Sequence, residues 1–297
     1  MNGPVLATVV IPTHTHGETL RYSVPTALRQ SVTDIEIFIV GDGVPDTTRD
    51  IARQLTSEDA RVRFFDFPKG ASRGEQHRHE VLQTARGDVV CYLFDDDLWL
   101  PDHVAVMRSM LTDADVAFSM PAVIRPDQSL SAVPMHLHRR IDRRLFTHPN
   151  SLTCATPTCA AHRMAFYRGL PHGWRAAPRG VAPDKYMWAQ FADTPGCRFR
   201  STNRPTALVF PDPPRRDWAH ASRLSELEQW SQRITDPEWV MAFRALVAAE
   251  TRSSRARVWQ SCAAAYLAAL HMPGGTRAAH ALVHLFRHRP PKRSHLA

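Results

Sequence analysis

Long apolar runs are missing from this 297-residue chain. None approaches the ~20 apolar residues that cross a bilayer, which excludes a helical membrane span. Met1 to Val10 lacks a basic flank ahead of its apolar stretch and reads as neither a signal peptide nor an anchor. Cysteine is scarce. Cys91, Cys154, Cys159, Cys197 and Cys262 are odd in number and form no dense framework, which argues against a disulfide scaffold and for a reducing, cytoplasmic setting. Cys154 and Cys159 have no matching second pair and read as plain thiols rather than zinc ligands. No internal repeat is present, and no Gly-x-x-x-x-Gly-Lys-Ser/Thr loop for a triphosphate. The basic clusters Arg139-Arg140, Arg143-Arg144 and Arg287 to Arg293 carry no interleaved aromatics, which weighs against nucleic acid as a partner.

What is present is an ordinary globular balance, 43% hydrophobic and 22% charged, with a formal charge of +8 that suits an anionic partner. Apolar strands over Val5 to Ile11, Ile35 to Val40, Arg61 to Phe65 and Val89 to Phe94 alternate with helix-length segments such as Glu18 to Gln30. That alternation predicts an α/β fold with a mostly parallel sheet flanked by helices, whose ligands bind beyond the carboxyl ends of the strands. After residue 112 the pattern shortens: Val116 to Met120, Leu130 to Met135 and Ala207 to Phe210 read as strands and Met187 to Phe191 as helix. The break Pro211 to Pro214 separates a catalytic unit, 1–214 (halves 1–112 and 113–214), from a helical extension, 215–289, and a basic tail, 290–297. Trp239, Phe243, Trp259, Tyr266, Leu267 and Leu270 lie at helical spacing in the extension, as a cap or a homodimer interface. Basic residues there are also compatible with a peripheral place at the inner membrane surface.

The strand ends are chemically unusual: Pro12-Thr13-His14, Gly41-Asp42-Gly43 and Asp95-Asp96-Asp97. Three consecutive carboxylates oppose one another's ionisation unless cations neutralise them, and hard oxygen ligands suit Mg²⁺ or Mn²⁺. Asp42, between two glycines, has the freedom to present its carboxylate to a nucleobase, and a simple turn has the same signature. Arg73, beside Gly74, can offer paired donors to a diphosphate. His77 and His79 fall on opposite sides of a helix there, so one of them faces the cleft.

These segments, with Tyr92 to Asp102, occur in an order and spacing that resemble glycosyltransferase family 2 from Val5 through the region of residue 195. The resemblance implies a GT-A fold and inverting transfer from a nucleotide diphosphate sugar donor, with UDP or dTDP favoured and GDP compatible. The acceptor would be a small molecule, a glycan or a lipid-linked glycan. It implies a base contact at Asp42, donor contacts from Pro12, Thr13, His14, Arg73, Asp95 and Asp96, and a Mn²⁺ or Mg²⁺ site at Asp96 and Asp97. Phe94 stands where the family's metal motif begins with aspartate. The family's general base looks like Asp184, before a short helix, and the preceding loop offers Trp174, Arg175 and Arg179 to the acceptor, with Trp174 expected to stack on a sugar. A metal-dependent nucleotidyltransferase and a non-catalytic nucleic-acid or anion-binding protein are the competing readings.

Overall fold

The computed structural model describes residues 3–132, 134, 136–147 and 156–251. The strands are β1 (Ala7–Thr13), β2 (Ile35–Asp42), β3 (Val62–Phe67), β4 (Val89–Tyr92), β5 (Leu98–Trp99), β6 (Val116–Ile124), β7 (Leu130–Ala132), β8 (Ala160–Arg163) and β9 (Phe199–Val209). The helices are α1 (Leu20–Leu28), α2 (Asp46–Glu58), α3 (Glu75–Leu82), α4 (His103–Met110), α5 (Arg140–Thr147), α6 (Met164–Arg168), α7 (Pro183–Asp193) and α8 (His220–Arg233). A further helix, α9, occupies residues 237–251.

β1 and β2 are buried along nearly their whole length because both faces are covered. Val9 and Ile11 enter one layer with Leu20, Val24, Leu55 and Met107. Val10 and Phe38 enter the other with Val81, Tyr92, Trp174 and Trp188. The strand order β3-β2-β1-β4 reverses direction beside β1, with all three pairings parallel, so a crevice opens past the ends of β1 and β4.

Beyond β4 the expected mostly parallel sheet is not what forms. The order continues β8-β6-β9-β5, with β7 on β6. β8 is antiparallel to both β4 and β6, β5 is antiparallel to β9 and β7 to β6, while β6 and β9 are parallel. The result is one mixed sheet curled into a half-barrel. The physical reason is connection length: parallel neighbours need a crossover of a dozen or more residues. The turn Leu93 to Asp97 is too short for one, and it delivers β5 to the far edge against β9. Strand–helix alternation holds only through β4; β6, β7, β9 and α7 form over the later segments expected as strands and helix, but their pairing directions are mixed.

The helical extension is present as far as residue 251. Its Leu227, Trp230, Val240, Phe243 and Val247 share a third core with Leu98, Leu100, Met120 and Phe210, so α8 and α9 pack on the strand that follows the acidic turn. Cys154, Cys262, Met135, Trp259, Tyr266, Leu267, Leu270, the cluster Arg287 to Arg293 and the tail 290–297 lie outside the described residues. Cys91 and Cys159 are both buried, and Cys91 is a free thiol. No helix among the described residues is long and apolar enough to cross a membrane.

Candidate active site

The ends of β1, β2 and β4 bring the expected polar groups to one crevice. Thr13, the last residue of β1, donates from Oγ1 to Asp95 Oδ2 at 2.7 Å. The turn after β4 is tied to β1 through Leu93 N and Val10 O, 3.1 Å. Pro12 is half-buried beside Thr13, and His14 is exposed at the rim.

The three aspartates are held differently. Asp97 accepts from Phe210 N at Oδ1 (2.9 Å) and from Thr158 Oγ1 at Oδ2 (2.5 Å). Both of its oxygens therefore fasten the turn to the end of β9 and to the segment before β8. Burial, and then the charge of Asp96, push Asp97 up to about 7. The same causes raise Asp95 well above the usual carboxylate range. Asp96 is the outward member: Oδ2 accepts from Arg223 Nη2 at 2.9 Å, and Oδ1 takes no donor among the described residues.

Asp42, at the end of β2, is nearly buried. It accepts from Lys69 Nζ (2.6 Å) and from Gly70 N (2.6 Å), with His77 Nε2 3.5 Å away. Burial acts to raise this carboxyl, but the bonds from Gly70 and Lys69 outweigh it and hold Asp42 below its ordinary value. Gly74 has φ 66°, and a Cβ there would lie 2.9 Å from Asp42 Cβ, so only glycine lets the loop close over this carboxylate. Of the two histidines, His77 faces Asp42 and stacks on Phe67 at 4.4 Å, while His79 Nδ1 bonds Tyr167 Oη at 2.8 Å.

Arg73 is exposed at the loop rim. The buried cation of the crevice is Arg78, which the sequence reading passed over. Its Nη2 donates to Arg73 O (2.7 Å), its guanidinium lies 4.8 Å over the Trp174 ring, and its Nε has no hydrogen-bond partner among the described residues. Burial lowers its pKa, and the charges of Glu75, Asp184 and Asp42 oppose that fall. The available signal was helical phase: Arg78 shares a face of α3 with Glu75 and Leu82, both buried.

Trp174 corrects an expectation. It is 1% exposed, its Nε1 donates to Tyr92 Oη at 2.8 Å, and it packs edge-on against Tyr92 and Trp188. A ring enclosed by Arg78 and two aromatics has no free face for a sugar. Tyr92 Oη accepts that hydrogen bond and donates onward to His162 Nε2 (2.7 Å), so the loop that carries Trp174 is tied to β4 and β8. Arg175 and Arg179 are exposed on that loop, Arg175 5.5 Å over the Tyr186 ring. Asp184 is half-buried in the first turn of α7, where Lys185 N donates to its Oδ1 at 2.9 Å. Pro183 at the helix start and an acidic group in its first turn suit the orphan N–H donors there.

Arg223 on α8 was also missed. Besides Asp96 it donates to Phe210 O (2.8 Å) and to Glu226 Oε2 (2.9 Å). Glu226 also takes two bonds from the buried Arg215, both 2.7 Å, so a chain of ion pairs runs from the acidic turn into the extension. The two partners are 127 positions apart, and no local pattern signals the contact.

Residues 8–170 match the family model described as "Glycosyl transferase family 2". The chain belongs to that family. This family 2 domain is 28% identical over 135 residues to hyaluronan synthase of Pasteurella multocida, covering 44% of the chain and 14% of that protein. It is 24% identical over 115 residues to a UDP-Glc:alpha-D-GlcNAc-diphosphoundecaprenol beta-1,3-glucosyltransferase of Escherichia coli, covering 38% of the chain and 44% of the relative. Both matches span less than half of those relatives. Among solved structures, the fold is similar to the mannosyltransferase PcManGT of Pyrobaculum calidifontis in complex with GDP-Man and Mn²⁺, at 18% identity and TM-score 0.53, covering 96% of this chain and 81% of that one. It is similar as well to S. aureus TarS 1-349 in complex with UDP, at 14% identity and TM-score 0.55, covering 77% and 69%.

Membership of family 2 implies a divalent metal. Among the described residues no three His, Cys, Asp or Glu side chains converge as a ready-made cage. The acidic turn fits a sparser site. Mg²⁺ and Mn²⁺ at phosphate sites take one or two carboxylates and leave other positions to water and phosphate oxygens. Asp96 has an oxygen open to such a role, while the raised Asp95 and Asp97 mark a buried carboxylate cluster short of positive charge. Asp97 already holds two protein donors, which makes it the weaker of the two expected ligands.

Proposed function

We propose that the chain is an inverting, metal-dependent glycosyltransferase that moves a sugar from a nucleotide diphosphate sugar to an acceptor hydroxyl. What carries this reading is the meeting of Thr13, Asp42 and the Asp95–Asp97 turn at one crevice beside the buried Arg78, whose Nε has no partner among the described residues. In this reading residues 1–112 hold the donor, 113–214 receive the acceptor, and the helices from 215 onward close over the acidic turn.

Asp42 releases Lys69 or Gly70 to accept from the imide of a uracil or thymine ring. Asp95 is held by Thr13 on the ribose side. Asp96 would hold Mn²⁺ or Mg²⁺, and the metal would supply charge stabilisation for the leaving diphosphate. Arg73 at the rim and Arg78 at the floor add guanidinium charge to the same phosphates, where preorganised cations in a dry site act most strongly. Asp184 accepts the proton of the attacking hydroxyl from the side opposite the diphosphate, which inversion requires, within hydrogen-bond reach of ~2.6–3.2 Å. The exposed Arg175 and Arg179 meet an anionic part of the acceptor, for which a lipid-linked diphosphate has the right chemistry.

The test is calorimetric binding of UDP, dTDP and GDP with and without Mn²⁺. One nucleotide should bind in a manganese-dependent way that Asp96→Ala abolishes. Asp184→Asn should keep that binding and lose transfer. Nucleotide binding indifferent to both the metal and Asp96 would refute the donor site, and wild-type turnover in Asp184→Asn would remove the base.

A further inference from the structure

Between α8 and the turn joining β6 to β7 lies a shallow, solvent-open cavity of about 430 Å³, lined by Trp218, Ser222, Ser225, Gln229, Gln128 and Glu226 among others. None of these residues touches the acidic turn itself, and Glu226 reaches it only through Arg223. Gln128 is the one described non-glycine residue with positive φ, 62°. Turns favour glycine or asparagine in that conformation, so a longer side chain is kept there against a local preference. The side chain is also aimed. Its Oε1 accepts from Trp230 Nε1 at 2.9 Å, and its Nε2 lies 3.4 Å from Glu226 Oε1.

The charge pattern narrows the ligand. Arg215 is 1% exposed at its side chain and is committed to Glu226, and Arg223 is committed to Glu226 and Asp96. Those two cations and two carboxylates cancel, and none of the residues that line the cavity is itself a cation that could hold a phosphate or sulfate. What the cavity offers instead is the half-exposed indole of Trp218, which lies 5.4 Å from the Arg215 guanidinium, with hydroxyls and side-chain amides around it. A flat apolar ring beside convergent neutral hydrogen-bonding groups suits a molecule with one apolar face and many hydroxyls.

We propose that this cavity is a subsite for one neutral pyranose of an oligosaccharide. Its role as an acceptor or product subsite rests on the glycosyl-transfer reading above, and Glu226 connects it to that site: the carboxylate that lines the cavity also holds Arg223 against Asp96. An occupied cavity therefore fixes the side chain that touches the acidic turn.

The experiment is ligand-observed NMR with cellotriose, laminaritriose and chitotriose, without nucleotide, on wild type, Trp218→Ala and Gln229→Ala. Gln229 is exposed, so its replacement leaves folding intact. At least one trisaccharide should bind the wild type, and each substitution should weaken it roughly tenfold or more, the scale of losing one stacking or hydrogen-bonding partner. Manganese-dependent nucleotide binding should be unchanged in both variants. No binding of any of the three sugars, or binding unmoved by both substitutions, overturns the subsite. Sugar binding that follows Trp218 and Gln229 in a protein that binds no nucleotide keeps the subsite and defeats the glycosyl-transfer reading instead.

Discussion

Asp97→Ala separates two roles for one carboxylate. In the structure Asp97 accepts from Phe210 N and Thr158 Oγ1, both buried, and so pins the acidic turn to β9 and to the segment before β8. Removing it leaves a backbone N–H and a hydroxyl without acceptors, at ~1–3 kcal/mol each. Part of this is returned because the cluster loses one of three carboxylates whose mutual proximity and burial are unfavourable. The net expectation is a loss of ~2–4 kcal/mol, a sizeable part of a total stability of ~5–15 kcal/mol. Asp97→Asn keeps an acceptor for Phe210 N and should cost less than the alanine. Urea denaturation of the three proteins measures this. An alanine variant within ~0.5 kcal/mol of wild type, the range of ordinary surface changes, would refute the anchoring role. If that stable variant also lost manganese-dependent nucleotide binding, Asp97 would be a metal ligand.

Trp174→Phe should lose mainly the bond to Tyr92, ~0.5–1.5 kcal/mol, whereas Trp174→Ala should cost ~3–5 kcal/mol through an unfilled core; thermal or urea unfolding distinguishes this from a surface sugar platform, whose removal would leave stability unchanged. His162 and His103 are each held neutral by burial, to about 3. Between that value and the unfolded pKa near 6.5 the unfolded chain binds protons that the folded chain does not, so each histidine makes stability fall as pH falls, by up to ~1.4 kcal/mol per pH unit. His162→Gln should therefore flatten the decline between pH 6 and pH 4 relative to wild type, and an unchanged slope would contradict the neutral, buried assignment. Gly74→Ala should disturb the Asp42 pocket, weakening nucleotide binding more than global stability, as calorimetry alongside urea denaturation would read.

The sequence by itself determined the first four strands of this protein and the crevice at their ends. Apolar strands buried on both faces are recognisable as local runs, and adjacent parallel strands necessarily bring their carboxyl ends together, so the convergence of Thr13, Asp42 and Asp95 to Asp97 is legible in the sequence alone. Family membership followed from the same segments. Tertiary structure alone decided the rest. Arg73 and Arg78 are alike as residues, and only the packing of α3 under Trp174 buries the second and exposes the first. Trp174 in a Gly- and Pro-containing loop looked like an exposed platform because sequence gives a ring's character but not what covers it. The antiparallel entry of β8, the placing of β5 at the far edge and the reach of Arg223 to Asp96 depend on pairings between distant segments. Periodicity reports which side of an element is buried, and it carries no information about which distant partner buries it.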